Sequence, residues 1–174
     1  MLALRTRGVP WDRLLERFEA LGRRAAIVGL HGAGKTTLLE DLEPRLAGRG
    51  YRLRKVFLRD GQRRLGPQRS ALLARLQPGD LLLVDGAEQL APWAWWELQR
   101  RARRAAGLLI TVHEPGRLPT LWESRTSPGL LADLAAELVG PAEAATLPLA
   151  ELFERHRGNL RDALRELYDL YAAR

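Results

Sequence analysis

The chain has 174 residues, 28 lysines and arginines against 21 acidic residues, a net charge of +7, and no cysteine. That length suits one compact domain with at most a small appendage, and it suffices to bury a real core. The absence of cysteine excludes disulfides and thiolate metal sites, and with no bilayer-length apolar run and no signal-peptide core at the start, a cytoplasmic protein without membrane partners is expected.

In chain order, VPWDRLLERFEALG predicts a helix within an N-terminal segment, 1–23. AAIVG (25–29) reads as a buried strand, and TTLLEDLEPRLA then places Leu38, Leu39, Leu42 and Leu46 on one helical face. YRLRKVFL (51–58) predicts a second strand, and a helix around 70–76 stops before Pro78-Gly79. LLLV (81–84) and GLLITV (107–112) are the third and fourth strands, joined by a helix with Trp95, Leu98, Ala102 and Ala105 on one face. Strands alternate with helices, and the strands are continuously apolar. This predicts an α/β fold, a parallel sheet sandwiched by helices, over a core of residues 24–126.

Residues 113–129 are rich in turn formers and read as a long loop with at most a short helix. Ser127-Pro128 starts a helix well, because serine caps and proline fits the first turn. GPAEAATLPL (140–149) reads either as a fifth strand or as a linker. The tail reads as two helices broken near Gly158, the second with Leu160, Leu164, Leu167 and Tyr171 on a stripe. Residues 127–174 therefore form a small helical, lid-like C-terminal extension in this reading.

GLHGAGKT, from Gly29 to Thr36, matches G-x-x-x-x-G-K-[ST] and sits between a strand and an amphipathic helix, where that motif belongs. The glycines let the backbone turn tightly, so that successive amides face phosphate oxygens. The helix adds its positive N-terminal dipole. Gly29, His31, Gly32, Ala33, Gly34, Lys35, Thr36 and Thr37 are thus the candidate phosphate-binding residues. Lys35 supplies a cation for the terminal phosphates, and the Thr36 hydroxyl is the expected Mg²⁺ ligand.

With this motif in place, the chain resembles the P-loop NTPases over roughly residues 25–113. The resemblance implies a nucleoside triphosphate, ATP or another, bound with Mg²⁺. It also implies a second motif of apolar residues ending in aspartate, which LLLV and Asp85 match. Asp85 would hold the Mg²⁺ through a water opposite Thr36. Further motifs resemble the AAA+/STAND-like branch. There a polar residue ending the fourth strand senses the γ-phosphate, a place that Thr111 or His113 fills. A lid arginine shortly after a glycine reaches the nucleotide, as Arg161 after Gly158 could in RGNLRDAL.

One departure concerns catalysis. The branch usually places an acid directly after the second-motif aspartate, and this chain has Gly86. Glu88 is the leading alternative for activating water, with Glu114 second. Arg117 and Arg125 are candidate arginine fingers. Lys35, Glu88 and Arg161 are accordingly the candidate catalytic set. The expected function is an ATPase or ATP-dependent switch whose hydrolysis is slow or partner-stimulated.

Two alternatives stay open. One is a small P-loop kinase, whose acceptor region would be FLRDGQRRLG (57–66) with Asp60, Arg63 and Arg64. The other is a nucleotide-dependent binding module with little hydrolysis, suggested by Gly86 and by Trp93 and Trp96 beside arginines. A protein partner or self-association is expected in either switch or module. Nucleic acid is the less favoured partner, because the basic residues are nearly all arginine and are spread along the chain.

Overall fold

The computed structural model describes residues 9–172, and residues 1–8 of the expected N-terminal segment lie outside the described part, as does the side chain of Tyr171. Helices α1 (Trp11–Ala20), α2 (Lys35–Gly48), α3 (Gly66–Ala74) and α4 (Pro92–Ala102) alternate with strands β1 (Arg24–Gly29), β2 (Arg52–Phe57), β3 (Asp80–Asp85) and β4 (Gly107–Val112). A fifth strand, β5 (Thr120–Ser124), precedes α5 (Pro128–Val139), α6 (Pro141–Ala144), α7 (Leu149–Arg155) and α8 (Leu160–Ala172). The chain forms two compact units, one from 9–28 with 35–123 and the other from 29–34 with 124–172.

The sheet is parallel and its strand order is β2-β3-β4-β1-β5. β3 and β4 are buried along their whole length, which is why both read as uninterrupted apolar runs. Alternate side chains face opposite layers. Leu82, Val84, Leu108 and Ile110 pack with Leu73, Ala94 and Leu98 from α3 and α4. Leu81, Leu83 and Leu109 pack with Leu14, Phe18, Leu38 and Leu42 from α1 and α2. β2 lies on the edge and carries Arg52, Arg54 and Lys55, charges that discourage pairing with another chain.

The fifth strand is in TLWES (120–124), inside the stretch expected to be a loop, whereas 140–149 forms α6 and a turn. TLWES is short, follows Pro119 and buries only Leu121 and Ser124, so its strand signal is weak. In the C-terminal unit, Leu131, Ala135, Ala144, Leu152, Leu160, Ala163 and Leu167 make a separate core. Ser127 caps α5 by accepting the Leu130 amide at 3.2 Å. Among the described residues no helix is long and apolar enough to cross a membrane.

Asp80, fully buried at the start of β3, ties the sheet edge together. Its carboxylate accepts the Gln77 amide at 2.8 Å and Arg52 Nε at 3.0 Å, with Arg54 Nε at 3.3 Å. Burial works against its charge, but the Gln77 amide and the two guanidinium groups outweigh it and hold the pKa below the usual carboxylate value. Such a group stabilises the fold above its unfolded pKa of about 3.9 and loses that contribution as pH falls through the lower folded value. Asp80→Asn is therefore expected to lower stability by about 1–3 kcal/mol at neutral pH. The gap from wild type should shrink in denaturation curves measured well below pH ~3.9; a gap independent of pH would contradict this account.

Candidate nucleotide site

The segment between β1 and α2 begins at buried Gly29 and turns with Ala33 N–H donating to the Leu30 carbonyl at 3.2 Å. Gly32 and Gly34 take φ of +73° and +78°, a region open to glycine. At Gly32 space is limiting as well. A β-carbon there would lie 1.7 Å from Asn159 Oδ1, so the Asn159 carboxamide stands directly against the loop. Asn159 is also the residue before α8, where its Oδ1 accepts the Asp162 amide at 3.3 Å. His31 is exposed and Ala33 buried. Sequence reasoning named Gly158 and Arg161 on either side of Asn159 but missed Asn159 itself. The available signal was an asparagine placed to cap a helix.

Lys35 opens α2 and is 8% exposed. Thr36 follows it, and its hydroxyl donates to Asp85 Oδ2 at 2.9 Å. Two segments 49 residues apart in sequence thus meet at one carboxylate. The other oxygen, Oδ1, accepts the Thr111 hydroxyl from the neighbouring strand β4 at 2.5 Å. Thr111 Oγ1 in turn accepts the Gly86 amide at 2.8 Å. Asp85 is therefore oriented from both sides, and Thr111 is fully buried doing so. Thr37 is half-buried on the next position of α2.

Beside Thr36 and Asp85 lies a cavity of about 190 Å³, whose other lining includes Glu40, Glu43, Lys55 and Phe57. Lys55 donates to both Glu43 oxygens, at 3.0 and 2.8 Å.

The oxygen donors of Thr36 and Asp85 fit a hard divalent cation such as Mg²⁺. No cluster of three or more His, Cys, Asp or Glu side chains able to hold a metal exists among the described residues. Mg²⁺ takes one or two protein ligands and completes its shell with phosphate oxygens and water.

Gly86 explains itself by geometry. Its φ is +82°, and a β-carbon there would lie 2.6 Å from the Leu58 backbone carbonyl. A side chain at this position would press on the backbone of Leu58 and strain the turn. The chain turns instead into a short 3₁₀ helix, Ala87–Gln89, which carries Glu88. Glu88 Oε1 is 3.1 Å from His113 Nε2, while its Oε2 is buried with no hydrogen-bond partner.

The structure separates the two fourth-strand candidates: Thr111 bonds Asp85 and His113 meets Glu88. Arg117 donates to the Leu90 carbonyl at 2.7 Å and, at 3.4 Å, to that of Glu88, and it stacks on Trp95 at 5.1 Å. Burial lowers its pKa, opposed by the Glu88 charge. These contacts hold the segment after β3. Glu114, Arg125 and Arg161 are exposed, Arg161 in the first turn of α8.

In the candidate acceptor segment, Asp60 accepts from Gln89 Nε2 at 3.1 Å, the Arg63 carbonyl accepts the Ala91 amide at 3.1 Å, and Arg64 lies over the Trp93 ring.

No family model matches the chain, and no curated protein matches it in sequence. Solved structures match it in fold. The RuvB Holliday junction branch migration motor of Thermotoga maritima is 18% identical, with a TM-score of 0.56, and the match covers 94% of this chain and 62% of RuvB. A DNA replication initiation factor is 16% identical, with a TM-score of 0.59 and coverage of 92% and 59%. A second RuvB structure, a mutant, is 16% identical at a TM-score of 0.56, with coverage of 90% and 60%. The chain spans about three fifths of the length of these structures. Its fold is the α/β fold of the P-loop NTPases, a parallel sheet covered by helices.

Proposed function

We propose that the chain binds ATP with Mg²⁺ and works as a slow or partner-stimulated ATPase, that is, an ATP-dependent switch. The observation that carries this reading is the 2.9 Å bond between the Thr36 hydroxyl and the Asp85 carboxylate, each at the place its motif requires.

In this reading the backbone amides of residues 29–34 and Lys35 hold the phosphates, and Thr36 and Asp85 hold the cation. Mg²⁺, when bound, supplies neutralisation of phosphate charge. Thr111 positions Asp85. Glu88 is the base assigned to the attacking water, and His113 holds its Oε1. Arg161, exposed in the first turn of α8, is the arginine assigned to the phosphate charge.

The placement of the base three residues beyond Asp85, already paired with His113, supports slow turnover until a partner or a second copy of the chain rearranges it. Reach to the water governs base catalysis. The resemblance to the AAA+/STAND-like branch supports the expectation of a protein partner or self-association.

Turnover of Glu88→Gln tests the assignment. Loss of a general base is expected to lower kcat about 100-fold or more while ATP affinity stays near wild type, as read by single-turnover hydrolysis beside equilibrium binding. An unchanged rate would remove Glu88 from the chemistry. Phosphate found on a nucleoside acceptor rather than in water would replace the ATPase with the kinase.

A further inference from the structure

The outer face of α4 carries chemistry that nucleotide binding does not use. Trp93, Trp96, Arg100 and Arg103 follow one another at helical spacing along one face. Trp93 is 54% exposed and Trp96 is 64% exposed, although both are large rings that burial would favour. Each has a guanidinium nearby: Arg64 lies 5.6 Å from the Trp93 ring and Arg100 lies 5.5 Å from the Trp96 ring.

A cavity of about 290 Å³ adjoins them, lined by Arg24, Trp96, Gln99, Arg100, Arg103 and Leu118. Arg24 is partly buried there, anchored by a 2.9 Å bond from Nη2 to the Ala102 carbonyl. Burial first, and then the Arg103 charge, lower its pKa. Among the described residues no carboxylate pairs with Arg24, Arg100 or Arg103, and nearby Glu97 is taken by Arg101 at 2.7 Å.

Arginines in the last turn of a helix complement its dipole, which accounts for some of the charge. It does not account for two exposed tryptophans set between guanidinium groups. An apolar protein surface would satisfy the rings but would bury three unneutralised cations at high cost. An acidic peptide would satisfy the cations and leave the rings unused. A nucleic-acid strand offers both a planar base and a phosphate at every step. The rise between Trp93 and Trp96 is about 4.5 Å, of the same order as the roughly 3.4 Å per nucleotide of a strand.

We propose that this face of α4 binds single-stranded nucleic acid, with bases stacked on Trp93 and Trp96 and phosphates on Arg24, Arg100 and Arg103. The site is independent of the nucleotide reading and goes beyond it.

Fluorescence anisotropy of a labelled oligothymidylate of about 20 nucleotides tests this with the full chain, over a series of salt concentrations. Three phosphate contacts give a log–log salt slope of about −2. Replacing Arg100 and Arg103 together by alanine should reduce the magnitude of that slope by about 1.4. Trp96→Ala should weaken binding by about 5-fold or more, and Trp96→Phe, which keeps an aromatic face, should recover most of it. The ring is exposed, so circular dichroism and melting of Trp96→Ala should match wild type.

The proposal fails if the oligonucleotide does not bind at low salt. It fails equally if Trp96→Ala binds as well as wild type, or if Trp96→Phe is no better than Trp96→Ala. Competition by polyphosphate or polyglutamate as effective as that by unlabelled oligonucleotide would show a plain anion or acidic-peptide surface and overturn it.

Discussion

Replacing Lys35 by alanine is expected to abolish tight binding of MgATP. Lys35 is 8% exposed at the first residue of α2, so its ammonium-bearing side chain is largely withdrawn from water. In the proposed complex the same ammonium faces the terminal phosphates. Truncating one partner of a desolvated charge pair typically costs about 2–5 kcal/mol, or roughly 30- to 5,000-fold in affinity.

Thermal melting with and without ligand reads the loss directly. At a ligand concentration about 100 times Kd, wild type should gain roughly 2.7 kcal/mol, which for a chain of this size raises Tm by about 5–10 °C. Lys35→Ala should show no such rise at the same concentration. Lys35→Arg should recover little, because a planar fork does not replace a compact ammonium on a flexible stem. An ATP-induced rise as large in Lys35→Ala as in wild type would remove the phosphate loop from function altogether.

Strands β1, β3 and β4 were legible in the sequence because a strand covered on both faces carries a near-continuous apolar run. β5 was not, because an edge strand needs only half its residues buried and TLWES sits among turn formers. The motifs holding Lys35, Thr36 and Asp85 were legible for a related reason: a loop that turns on glycines and an aspartate at the end of a buried strand are local features. What brings Thr111 to Asp85 is not local. It depends on β4 lying next to β3, a matter of strand order. Asn159 depends on tertiary structure still more, since its contact is with a glycine more than a hundred residues earlier. The absent acid at position 86 was visible at once, but its cause, the Leu58 carbonyl, lies on the connection after β2.

That cause leads to the second large expected effect. Gly86→Glu, which installs the acid expected directly after the second-motif aspartate, should damage the protein and not accelerate it. A left-handed backbone at a non-glycine residue costs about 1–2 kcal/mol. Here the β-carbon must also relieve a 2.6 Å approach to the backbone oxygen of Leu58. That oxygen cannot swing aside freely, because Leu58 N–H donates to the Asp85 carbonyl at 2.9 Å and fixes the same strand exit. The combined cost is expected to reach about 3 kcal/mol or more, lowering Tm by roughly 6–12 °C.

Any shift at residue 86 also pulls on the Thr111 hydroxyl, which accepts the Gly86 amide and orients Asp85. Hydrolysis should therefore fall together with stability. Gly86→Asn distinguishes the two sources of cost. Asparagine tolerates a positive φ better than most residues but carries the same β-carbon as alanine. If contact with Leu58 dominates, Gly86→Asn and Gly86→Ala should be destabilised alike; if the dihedral dominates, asparagine should be the milder. A Gly86→Glu variant that melted with wild type and hydrolysed ATP roughly tenfold faster would mean that the turn after Asp85 has room for an acid. Glu88 would then have no claim to the role.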